Sequence, residues 1–133
     1  KLFANYPKYF PAFLSCNVAQ KTYSGKRKPT QQWCGKCAKC LFVFLALYPF
    51  AGEKQTMKIF KKNLLRDKKL KPLLQELTGK RTFKPFECVG TIAESRAALS
   101  LQTKKRHHIL KSWNSQHFLS KKFNRILKES IDV

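Results

Sequence analysis

The sequence is short of acid: seven of its 133 residues are Asp or Glu, against 28 Lys and Arg, which leaves a formal charge of +21. It also lacks both a Ser-Gly-Gly-x-Asp-Ser loop and a GxxxxGK[ST] loop, so nothing in it cradles the phosphates of a nucleotide. Ser24-Gly25-Lys26 is too short a fragment to serve. No apolar run approaches the roughly 20 residues that span a bilayer, and nothing resembles a signal peptide. The expectation is a chain of a reducing, cytoplasmic compartment with no membrane partner. Arginine is scarce as well: the basic residues are 22 Lys and six Arg, and Arg is the residue that reads phosphates and base edges bidentately. The lysines are scattered in pairs, such as Lys61-Lys62 and Lys121-Lys122, as solvated helix faces would scatter them. There is no internal repeat and no low-complexity tract. The only Met is Met57 and the chain opens at Lys1, so it reads as a processed chain or a piece of a longer one. Disorder is disfavoured by a composition that is 43% hydrophobic and 13% aromatic.

What is present is a constellation of thiols. Cys34, Cys37 and Cys40 follow one another at three-residue spacing, and Cys16 stands a loop's length upstream. Four such thiols close around a tetrahedral zinc ion whose sulfur ligands lie about 2.3 Å away. An iron–sulfur cluster would want a fourth Cys just after the third, where Phe44 stands instead. A disulfide framework fits poorly with an odd count of five cysteines. The expected ligands are therefore Cys16, Cys34, Cys37 and Cys40, with His107, His108 or His117 as substitutes for the first.

The remaining pattern is helical. The stretch 2–14, rich in aromatics and broken by Pro7 and Pro11, predicts short turns that deliver Cys16, and 21–30 reads as an exposed loop. A helix is expected from the last ligands through the all-round apolar run 41–48, stopping at Pro49, with a buried strand as the alternative. An amphipathic helix is expected over 53–65, its apolar side formed by Met57, Phe60, Leu64 and Leu65, and a shorter one over 70–77 that Gly79 ends. The segment 81–90 reads as a loop packed by its aromatics. Thr91-Ile92-Ala93-Glu94 matches a capping box opening a helix through Ala97, Ala98, Leu99 and Leu101, extending to Ile109 and Leu110. A last amphipathic helix is expected over 114–129. The fold class is mainly α: one small zinc-stabilised domain over 1–133, with the zinc site and buried helix in 1–50 and a helical remainder carrying the 84–90 loop in 51–133.

Three segments together resemble the C-terminal part of the bacterial UDP-N-acetyl-α-D-muramoyl-L-alanyl-L-glutamate epimerases. They are Tyr9-Phe10-Pro11 with Ser15-Cys16-Asn17, the run from Trp33 to Leu47, and Lys84 to Gly90, and the likeness fades after residue 101. The Ser-Cys and CxxCxxC arrangement is also similar to the zinc site of 7-cyano-7-deazaguanine synthases and related ATP pyrophosphatases. The resemblance implies the C-terminal part of a larger α/β enzyme that uses ATP and Mg²⁺ to invert the terminal L-Glu of a nucleotide-linked muramoyl dipeptide in peptidoglycan synthesis. Its ATP-binding region would lie upstream of Lys1, and this chain alone would be inactive.

Within the covered part, 84–90 places a cation, a carboxylate and a thiol in five residues. Glu87 or Cys88 is a candidate proton acceptor or donor, and Lys84 and Arg96 are candidates to bind substrate. The plainer alternative makes Cys88 a small core residue and Glu87 a local partner of Lys84 or Arg96. A rival function class rests on the charge and the aromatics: a small basic zinc module that binds nucleic acid, or one that docks on a protein partner.

Overall fold

A computed structural model describes residues 1–20 and 32–102, and all regular structure among them is helical. The expectations placed on 21–30, on Ile109 and Leu110, on the 114–129 helix and on His107, His108 and His117 lie outside the described residues. Two short 3-10 turns, Leu2–Asn5 and Pro7–Tyr9, open the chain, and Pro7 supplies a fixed φ in the first turn of the second.

Helix α1, Ala38–Phe60, forms the centre of the fold. Cys37 precedes it in extended conformation, and its carbonyl accepts from the Leu41 amide at 3.1 Å to start the helical ladder. Leu41, Phe44 and Leu45 are fully buried along it, as an apolar-all-round helix requires. The expected stop at Pro49 is corrected. Proline removes one N–H but its fixed φ is helical, so the break falls at Gly52, where φ is 74° and ψ is 167°. The second arm begins there, and the buried Thr56 hydroxyl donates to the Gly52 carbonyl at 2.8 Å.

That second arm ends at Phe60 rather than Leu65, because Lys61 turns left-handed and its amide donates to the Met57 carbonyl. Of the expected apolar side, Phe60 and Leu64 are buried and Leu65 half-buried, but Met57 is exposed and its neighbour Thr56 is buried in its place. The Asn63 and Asp67 side chains then accept from the Leu65 and Lys69 amides, starting two 3-10 turns, Leu64–Arg66 and Lys68–Leu70. Helix α2, Lys71–Leu77, follows with Pro72 in its first turn. It closes in a Schellman motif, with the Lys80 amide on the Gln75 carbonyl and the Gly79 amide on the Glu76 carbonyl.

Helix α3, Ile92–Gln102, opens on the expected capping box: Glu94 accepts from the Thr91 amide at 2.6 Å, and the Glu94 amide donates to the Thr91 hydroxyl at 3.1 Å. Ser95, Ala97 and Ala98 are buried, and such small side chains let α3 lie closely against α1. Between α2 and α3, residues 81–90 form a loop, but not one packed by its aromatics. Phe83 is largely exposed and Phe86 fully so. Among the described residues, no helix is long and apolar enough to cross a membrane.

Candidate metal centre

The four expected thiols meet at the N-terminal end of α1. The Sγ atoms of Cys16, Cys34, Cys37 and Cys40 all lie within 4.8 Å of one another. Four sulfurs placed tetrahedrally about 2.3 Å from an ion are separated by about 3.8 Å. Cys16 and Cys37 stand 3.8 Å apart and Cys34 and Cys40 3.7 Å apart, the length of two opposite edges of that tetrahedron. The sulfurs are free thiols, too far apart for disulfides, and they fit a closed four-thiolate site.

Each ligand is positioned by a local feature of the chain. Cys16 is fully buried in a turn closed by the Gln20 amide on its carbonyl, and the Ala19 amide points at its sulfur from 3.4 Å. The turn between Cys34 and Cys37 places the Lys36 amide 3.4 Å from the Cys34 sulfur. Gly35 makes this turn possible: its φ of 64° is a left-handed conformation that side chains disfavour. Cys37 is the N-cap of α1 and Cys40 lies in its first turn, where the positive end of the helix favours thiolates. Trp33, just before the first clustered ligand, donates its indole N–H to the Phe13 carbonyl at 3.1 Å and packs its ring between Phe13 and Phe60. It thereby joins the Cys16 segment, the CxxCxxC turn and the far end of α1.

The thiols divide in acidity. Hydrogen bonding from the Cys40 side chain is the main force holding Cys37 down to about 5, against its burial. Cys40 is pushed up by the same pairing with Cys37 and then by burial, and Cys34 is pushed up mainly by burial.

The loop 84–90 lies against this centre. The Asn17 amide, next to Cys16, donates to Glu87 Oε2 at 3.3 Å, and the Lys39 ammonium, between Cys37 and Cys40, donates to the Cys88 carbonyl. The Val89 amide turns back onto the Glu87 carbonyl at 2.7 Å. The local alternative for this loop is therefore corrected: Cys88 is exposed rather than part of the core, and the partner of Glu87 is Asn17 rather than Lys84 or Arg96. Arg96 instead donates to the Thr78 carbonyl at 2.7 Å and the Gly79 carbonyl at 3.5 Å, fastening α3 to the end of α2. Lys84 is half-buried at the start of the loop. Asn17 and Lys39 were not singled out by sequence reasoning; their adjacency to ligand cysteines is the signal that could have found them.

Fold and site define a small helical domain with four thiols gathered at the N-terminal end of its central helix. The chain belongs to the MurL C-terminal domain family, whose profile matches residues 12–131, well past the point where the resemblance fades to the eye. Three relatives are named UDP-N-acetyl-alpha-D-muramoyl-L-alanyl-L-glutamate epimerase. The one from a Micromonospora species is 44% identical over 101 residues, 76% of this chain and 22% of that protein. Those from Salinispora tropica and Xanthomonas oryzae pv. oryzae are 43% and 40% identical over 76% and 74% of this chain. The chain thus spans about a fifth of the length of these relatives. No solved structure matches it.

Proposed function

We propose that this chain is the C-terminal part of an ATP-dependent epimerase that converts the terminal L-Glu of UDP-MurNAc-L-Ala-L-Glu to D-Glu, and that its four cysteines hold zinc. The observation that carries the activity is the 40–44% identity to proteins bearing that epimerase name over three quarters of this chain. The observation that supports the metal is the gathering of the four sulfurs within 4.8 Å of one another, with two opposite pairs 3.7 and 3.8 Å apart. Zinc bound there supplies a cross-link between the segments carrying Cys16, Cys34 and α1. Four thiolates complete its coordination and leave no position for water or substrate, so its role is structural. The α1 N-terminus and the Lys36 and Ala19 amides that face the sulfurs would offset part of the negative charge of such a site.

The epimerisation itself asks for a proton to leave the α-carbon of glutamate and return on the opposite face. Converting the glutamyl carboxylate to an acyl-adenylate, with pyrophosphate released, removes the charge that opposes carbanion formation next to it, and water then hydrolyses the adenylate to release AMP and the epimerised carboxylate. ATP and Mg²⁺ for that step belong to the upstream region, since this chain has no phosphate loop. Glu87 and Cys88 are proposed as the groups that take and return the proton: Glu87 is half-buried and held by Asn17, while Cys88 faces solvent. Lys84 supplies a cation beside them. Arg96 spends two of its five donors on carbonyls and keeps the rest for a substrate carboxylate or phosphate.

The full-length enzyme tests this directly. Glu87→Gln and Cys88→Ala are assayed separately for pyrophosphate release and for deuterium uptake at the glutamyl α-carbon in heavy water. Loss of a true acid or base slows uptake by about 10²–10⁴-fold while pyrophosphate release persists. Normal uptake in both variants removes 84–90 from the chemistry.

A further inference from the structure

The exposed loop carrying Glu87 and Cys88 has no regular secondary structure of its own, yet it is tied down at three points around the metal centre. Asn17, one residue past ligand Cys16, holds the Glu87 carboxylate. Lys39, flanked by ligands Cys37 and Cys40, holds the Cys88 carbonyl. Gly90 closes the loop against Phe42 on α1, so tightly that a β-carbon at Gly90 would stand 2.3 Å from the Phe42 ring. The first two anchors come from separate ligand-bearing segments, one on the turn after Cys16 and one on the first turn of α1. Those segments are 22 residues apart in sequence and meet through the sulfur cluster.

We propose that Asn17 and Lys39 are positioning residues that pass the geometry of the four-cysteine centre to Glu87 and Cys88, so that the loop holds its conformation only while both ligand segments are clamped. The inference rests on the reading of the cysteines as a zinc site. A carboxylate held at one side chain and a carbonyl held at the next residue fix the first and middle residues of the tight turn that the Val89 amide closes on Glu87. Without the clamp, the two anchors separate and the turn loses its frame. The energetic logic is that a loop whose apolar contacts are confined to Val89 and Gly90 at its end depends on such specific bonds to order Glu87 and Cys88.

The test uses the zinc-loaded 133-residue chain and backbone amide order parameters from nitrogen-15 relaxation. In the parent, residues 87–89 are expected near about 0.85, the value of rigid backbone, and in Asn17→Ala and Lys39→Met they fall to about 0.6 or below. The amides of α3 stay unchanged, Lys39→Arg restores most of the order, and Lys54→Met, on the exposed side of the same helix, has no effect. A merely structural role would move α3 together with the loop. Unchanged order at 87–89 in both variants, or a fall shared by α3, overturns the proposal. Metal analysis of the same samples keeps two failures apart. A parent without zinc overturns both the metal reading and this inference; a zinc-loaded parent whose variants keep full loop order overturns this inference alone.

Discussion

Removal of the metal is the perturbation with the largest expected effect. Structural zinc sites contribute about 10–16 kcal/mol of apparent binding free energy at neutral pH, and that energy is folding energy where the site does not exist in the unfolded chain. A domain of ordinary size has a net stability of about 5–15 kcal/mol, so the two are comparable. Here the site joins the Cys16 turn to α1 across the segment 21–31, and two of its four sulfurs, on Cys16 and Cys40, are fully buried. Losing even about 5 kcal/mol would lower Tm by roughly 15–30 °C in a domain of this length. Chelation should therefore abolish the cooperative thermal transition or move it by tens of degrees. Cys40→Ser should cost more than loss of one ligand, since it leaves a hydroxyl without its metal in a fully buried position, a penalty of about 1–3 kcal/mol.

The pH dependence has a definite sign. A zinc-bound thiolate has a folded-state pKa below its unfolded one, so its contribution is present above the ordinary thiol value and lost as pH falls through the folded value. For Cys37, which the Cys40 hydrogen bond already holds at about 5 without metal, the metal-free window runs from about 9 down to about 5, and a bound cation would carry its lower edge further down. Cys34 and Cys40 are pushed the other way and keep their protons at neutral pH, so zinc must displace them. Titrating zinc into metal-free chain at pH 7, in buffers of differing ionisation enthalpy, should register release of at least those two protons. A purified chain with no zinc, and with the same Tm in chelator as without, would refute the reasoning. Retention of full metal by Cys34→Ser, Cys37→Ser and Cys40→Ser would do the same.

Two further outcomes follow from the packing. Gly90→Ala places a methyl 2.3 Å from Phe42 and 2.9 Å from the Glu94 carboxylate, so denaturant unfolding should show a loss of about 1–3 kcal/mol with zinc content unchanged. Thr91→Ala removes the capping hydroxyl from α3 and should cost about 0.5–2 kcal/mol, with Thr91→Ser recovering most of it.

What the sequence revealed and what it hid differ in range. The CxxCxxC spacing, the capping box at Thr91 and the helix end at Gly79 are local signals, each written within eight residues, and the structure forms all three. The misplaced features depend on what lies across the fold. Pro49 was read as a stop because proline breaks helices on average, but the chain could defer the break to Gly52, where a left-handed residue turns the helix. The second arm buries Phe60 as its periodicity predicts but Thr56 in place of Met57, because a polar residue that periodicity counts as exposed is buried once its hydroxyl finds the Gly52 carbonyl. Phe83 and Phe86 were read as packing residues from their hydrophobicity alone, whereas the loop is fastened by polar groups, Asn17 and Lys39. Those partners are 70 and 49 residues from the groups they hold, a separation at which spacing carries no signal. The exposed aromatics then acquire a physical reading. A loop held from behind by Asn17, by Lys39 and by Gly90 against Phe42 leaves Phe83 and Phe86 on its outward side.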